Sequence, residues 1–69
     1  MELILAVEVP PTFSIRQACV AAVNLARRTG ATIRFEWNGV LVHARAAEEP
    51  ETLAARATRV LEHGGKLVV

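Results

Sequence analysis

The sequence predicts a small α/β (α+β) domain in two layers, with the element order βαββαβ and two helices on one face of an antiparallel sheet. Three observations carry this. An Asn38-Gly39 pair sits between two alternating runs, two segments of helical periodicity each end at a glycine, and the first stretch alternates at period two.

From Glu2 to Val9, Leu3, Leu5, Val7 and Val9 point one way and Glu2, Ile4, Ala6 and Glu8 the other, as in a strand. Pro10-Pro11 stops it, because proline has no N–H to give a ladder. Ser14-Ile15-Arg16-Gln17 has the form of a capping box, so a helix is expected to start at Ser14. At 100° per residue, Ile15, Cys19, Ala22 and Ala26 make an apolar stripe flanked by Ala18, Val23 and Leu25. Its alanines let the helix lie close to the sheet, with Phe35 and Trp37 as fillers. Arg27 and Arg28 suit the negative end of the helix dipole, and Gly30 suits a left-handed cap.

Ala31 to Arg45 reads as a β-hairpin. Asn-Gly favours a two-residue type I′ turn, whose central residues both need φ > 0. That turn fixes the register. Trp37 faces Val40, Phe35 faces Val42 and Ile33 faces Ala44 on one side of the sheet. Glu36 faces Leu41, Arg34 faces His43 and Thr32 faces Arg45 on the other. The first set belongs to the core, and the second is mostly polar.

Pro50 suits a first helical turn, with Glu49 and Glu51 at the positive end of the dipole. Leu53, Ala57, Val60 and Leu61 then recur at helical spacing with Ala54 alongside, until Gly64-Gly65 ends the helix. Lys66 to Val69 is expected to add a short last strand. The order and the two-layer packing match the split βαβ of ferredoxin-like domains. An open sandwich whose last strand inserts beside the first shares that order.

A chain of 69 residues makes a single domain, 1–69. A domain of this size buries only about 60% of its unfolded surface. The 52% hydrophobic content excludes a disordered tail, and no apolar run reaches a membrane span. The N-terminal run has no basic leader or small-residue cleavage site and carries Glu2, so it reads as a strand and not as a signal peptide. One cysteine cannot close an internal disulfide. The expectation is a cytoplasmic protein. Net charge is +1 with both signs interspersed, which gives no strong pull toward nucleic acid or membrane.

Catalytic and metal chemistry find no convergent set of residues, so no enzyme, cofactor or metal is expected. Cys19 lies on an apolar stripe, where a buried thiol is inert. His43 and His63 sit on different elements with no CxxC or HExxH, short of the three or four ligands a metal needs. Glu48, Glu49 and Glu51 are accounted for by a helix N-terminus. Gly64-Gly65 follows a helix, the wrong end for phosphate.

The stretch PPTFSIRQACVAAVNLARRTGATIRFEWNG, followed by VLVHA, resembles short uncharacterised proteins encoded by phages and prophages. Its distinctive parts are PPTF, the RxAC of the helix and the FxWNG turn. The resemblance implies a setting in which small proteins bind and divert host proteins. The chain also resembles the histidine phosphocarrier of the sugar phosphotransferase system, where His-x-Arg-Pro opens the first helix. The matching positions here are Ser14, Ile15, Arg16 and Gln17, so the phosphorylated histidine is missing. This leaves a phosphocarrier-like fold as an analogy, without the activity.

The expectation is therefore a module that binds a host or phage protein, or itself as a homodimer, through the sheet face or an edge strand. The candidate interface is Ile4, Arg34, Glu36, Leu41, His43 and Arg45, with Ala6 and Val68 adding apolar surface inside a charged rim. The alternative is nucleic-acid binding through Arg16, Arg27 and Arg28 of the first helix. Base-stacking aromatics on the open sheet face would be needed for a ferredoxin-like RNA binder, and Phe35 and Trp37 are assigned to the core.

Overall fold

The computed structural model describes residues 3–64. They form β1 (Ile4–Ala6), α1 (Ile15–Thr29), β2 (Thr32–Trp37), β3 (Val40–Ala44) and α2 (Pro50–Glu62). The order is thus βαββα. The expected strand over 66–69 and the candidate surface residue Val68 lie outside the described residues.

Local signals in the sequence set the element ends. The Ser14 hydroxyl accepts from the Gln17 N–H at 3.1 Å, and the Gln17 side chain accepts from the Ser14 N–H at 2.8 Å. Both arms of the capping box are made, so α1 begins where two orphan donors are satisfied. At the other end Gly30 takes φ 72° and donates to the Ala26 carbonyl at 2.9 Å. In the hairpin Asn38 (φ 49°) and Gly39 (φ 82°) supply the two positive angles of a type I′ turn. The pairing follows: Ile33 with Ala44, Arg34 with His43, Phe35 with Val42, Glu36 with Leu41 and Trp37 with Val40.

The sheet departs from the expected antiparallel one. Its order is β1-β2-β3, and β1 runs parallel to β2, with Ile4 beside Thr32, Leu5 beside Ile33 and Ala6 beside Arg34. The sheet is mixed. Ferredoxin-like and phosphocarrier-like arrangements place a strand between the two strands that the first helix connects. Here those strands are direct neighbours, so the βαβ unit is not split. The physical reason is the crossover: α1 carries the chain back over the sheet, which makes β1 and β2 point the same way, and they then bond directly. β1 is also shorter than the alternation from Glu2 to Val9 suggests. One further bond, from the Val7 N–H to the Arg34 carbonyl at 2.8 Å, extends the pairing before the chain leaves toward Pro10.

Both helices cover one side. α1 packs on β2 and β3, α2 on β3 and α1, and β1 meets β2 alone. The core lies between these layers and is built on Phe35, Ile33, Leu53, Val23, Val40, Val42 and Cys19, all less than about one-fiftieth exposed or close to it. Ala18, Ala22, Ala26, Ala54 and Ala57 are buried with them. These small side chains are what lets two helices and a narrow sheet close up around few large residues. Trp37 is only half-buried and packs on the margin of the core.

Candidate functional site

The register carries the candidate residues to one place. In β2 and β3 the side chains of Ile33, Phe35, Val40, Val42 and Ala44 turn to the helices, so Arg34, Glu36, Leu41 and His43 turn away. Parallel pairing adds Ile4 beside Thr32 and Ala6 beside Arg34 on that same open face. Arg34 and Glu36 are exposed, Leu41 and His43 half-buried, and Ile4 is 43% exposed. Arg45, just past the end of β3, is exposed and engaged in an interaction of its own. The result is apolar Ile4 and Ala6 on the edge strand β1 and Leu41 on the edge strand β3, with the charges of Arg34 and Glu36 on β2 between them.

Thr32 differs from its polar-face assignment. It lies in the open face yet is only 3% exposed, the one buried polar residue of the described chain, and it too has an interaction partner. The edge of the face near β1 is therefore more closed than alternation alone implies.

A second feature has no counterpart in the sequence reading. Among the described residues, the exposed large hydrophobic side chains are Leu3, Ile4, Leu5, Phe13 and Val20, which lie just before β1, on β1, in the following loop and on α1. Since neither helix packs on β1, an apolar cleft of about 190 Å³ remains between the chain after β1 and α1, lined among others by Val7, Val9, Phe13, Ala21, Ala22 and Leu25. Phe13 immediately precedes the helix cap, where an apolar residue commonly staples the first turn by packing on the fourth helical position, here Ala18. That position was the available signal for Phe13. Val20 has none, since it lies outside the apolar stripe.

The basic residues of α1 are mostly committed elsewhere. Arg16 forms an ion pair with Glu51 of α2. Arg27 donates from Nε to the Ala46 carbonyl at 3.0 Å and from Nη2 to the Glu48 carbonyl at 3.4 Å, bracing the connection between β3 and α2. Arg28 is exposed. The three do not form a patch held ready for phosphate. The acidic residues divide similarly, with Glu48 paired to Arg56, Glu51 to Arg16, and Glu49 capping α2 through its backbone conformation without a side-chain bond.

Cys19 is fully buried, and burial pushes its thiol up from 9.0 to about 11. The thiolate is the reactive form, so this cysteine is chemically quiet in the folded state. Two outcomes follow. A thiol reagent at pH 8 reacts with the native protein only as fast as it unfolds, and at once in denaturant, which the rate of a chromogenic disulfide reagent measures. Because the folded state holds the proton more tightly than the unfolded chain, this group's contribution to stability is complete below pH 9.0 and declines as pH rises through about 11. Urea midpoints across that window are expected to fall, and fall less when Cys19 is replaced by Ala.

Among the described residues no group of three or more His, Cys, Asp or Glu side chains is placed to hold a metal ion, and no helix is long and apolar enough to cross a membrane. No family model, curated protein or solved structure matches this chain.

Proposed function

We propose that the protein is a non-enzymatic module that binds another protein through the open face of its sheet, as a phage or prophage accessory protein engaging a host factor. The observation that supports this is a sheet face that no helix among the described residues covers. Both helices lie on the other side, and the open side carries exposed Ile4 and half-buried Leu41 among Arg34, Glu36, His43 and Arg45. Apolar side chains on both edge strands with charges on the strand between them offer a protein partner contact area together with polar pairing. The alternative, nucleic-acid binding by Arg16, Arg27 and Arg28, is less well supported because Arg16 and Arg27 are held by Glu51 and by backbone carbonyls.

The test compares the wild-type protein with Leu41→Arg, each immobilised and exposed to a lysate of the host, with bound proteins identified by mass spectrometry. Leu41 is half-buried on the open face and outside the core, so the variant is expected to keep the wild-type urea midpoint to within about 1 kcal/mol of stability, as surface changes generally do. The specific partner is expected to disappear from its captured set. Retention of the same partner at the same yield would remove the open face from the reading.

A further inference from the structure

We infer that β1 pairs antiparallel with β1 of a second copy, about a twofold axis at Leu5, so that the two sheets become one. This uses the edge of the sheet and does not rest on the proposed role of its open face.

The main chain provides the first argument. Thr32 donates to the Leu3 carbonyl and Val7 donates to the Arg34 carbonyl, each at 2.8 Å, so the odd-numbered residues turn their backbone groups toward β2. Backbone groups alternate sides along a strand, and those of Ile4 and Ala6 therefore point to the outer edge. No described residue pairs with that edge. An antiparallel copy centred on Leu5 sets Ile4 opposite Ala6 of the second copy, as a pair that exchanges two hydrogen bonds. Symmetry repeats the pair, and Leu5 meets Leu5 of the second copy at the close, non-bonded position between them.

The side chains provide the second argument, which selects a second copy over an unrelated strand. Leu5 shares the helix-side face with its neighbour Ile33, and so by alternation does Leu3. No helix covers them there, and they stand 37% and 63% exposed. The apolar cleft is lined by Val7 together with Phe13, Ala21 and Leu25 among others. Leu3 lies two residues before the axis and Val7 two residues after it. The twofold accordingly brings Leu3 of each copy to the mouth of the other copy's cleft. A projecting side chain and a cavity occur on one chain at equal and opposite distances from a single point, which is the self-complementarity an isologous interface requires.

The area sets the size class. Covering Leu3, Ile4, Leu5, Ala6 and the cleft mouth removes roughly 400–500 Å² per copy, about 900 Å² in all, just under the ~1,000 Å² that marks a biological interface. Net charge of +1 adds little repulsion. Reversible association is expected, as for weak or transient contacts at the low end of the size range.

Sedimentation velocity of the full chain from about 1 to 500 µM tests this, together with Ala6→Pro, Leu3→Asp and Leu41→Arg. Ala6→Pro removes an outward N–H without touching the ladder to β2, and Leu3→Asp puts a charge on the projecting side chain at a position too exposed to govern folding. The wild type and Leu41→Arg are expected to pass from monomer to dimer over this range. The other two are expected to stay monomeric at concentrations where the wild type is half dimer, with unchanged circular dichroism. Should Ala6→Pro not fold, Leu3→Asp decides alone. A wild type that remains monomeric throughout, or a dimer that survives Leu3→Asp, overturns the inference, and a dimer lost only in Leu41→Arg moves the contact to the open face and overturns it too.

Discussion

Replacing Phe35 by alanine is expected to leave about half of the molecules unfolded at 25 °C. Phe35 is the largest fully packed side chain in the structure, 2% exposed at the middle of the central strand, with Val42 beside it across the hairpin. Truncating a buried phenylalanine costs about 3–5 kcal/mol, because the transfer energy of the ring is lost and a cavity is left behind. A domain of this size with a single cysteine, and so no internal disulfide, has about 3–5 kcal/mol of stability from its core. The two quantities are equal in size, so the net stability falls to about zero and the folded fraction from nearly complete to roughly half. Loss of the cooperative urea transition, followed by circular dichroism, checks it. A variant retaining a wild-type midpoint would mean that Phe35 is not the centre of the core.

Leu53→Ala is expected to release α2 before the rest of the domain. Leu53 is fully buried and is the single large side chain that α2 sends into the core. Its other buried residues are Ala54 and Ala57, with Val60 and Leu61 only half-buried. The substitution costs about 2–5 kcal/mol. Because a helix of 13 residues is marginal in isolation, its stability comes from this packing and not from propensity. The loss should therefore concentrate in α2. Amide hydrogen exchange is expected to show protection lost from Leu53 to Leu61 while the β2–β3 hairpin amides stay slower. Equal loss across both elements would show that the domain opens only as one unit.

The contrast between these elements and β1 shows where the sequence is informative. The hairpin was legible for the five pairs from Ile33–Ala44 to Trp37–Val40, since Asn38-Gly39 favours a type I′ turn and the turn fixes which side chains oppose, whereas the expected pair of Thr32 with Arg45 falls beyond the end of β3. The start and end of α1 were legible because Ser14, Gln17 and Gly30 each make a local bond or angle that few other residues make. The partner of β1 was not. Alternation from Leu3 to Val9 fits a strand next to either hairpin strand in either direction, and the choice is made by packing between distant parts of the chain. The expected antiparallel sheet therefore gave way to a mixed one, in which β1 lies parallel to β2. For the same reason the exposure of Leu3 and Leu5 was hidden: the apolar stripe of α1 says that the helix covers a sheet, not which strands lie beneath it. The open face was legible through period two, apart from the burial of Thr32, which depends on what lies around it in three dimensions.

The division of the sheet between a folding side and a binding side is tested most directly by amide chemical-shift mapping of the isotope-labelled protein, titrated with the partner that the wild type captures and Leu41→Arg does not. The expected perturbations centre on Ile4, Arg34, Glu36, Leu41, His43 and Arg45, with Arg59 and Glu62 on α2 unchanged. Perturbations centred on α2, with the strand amides unmoved, would contradict the account.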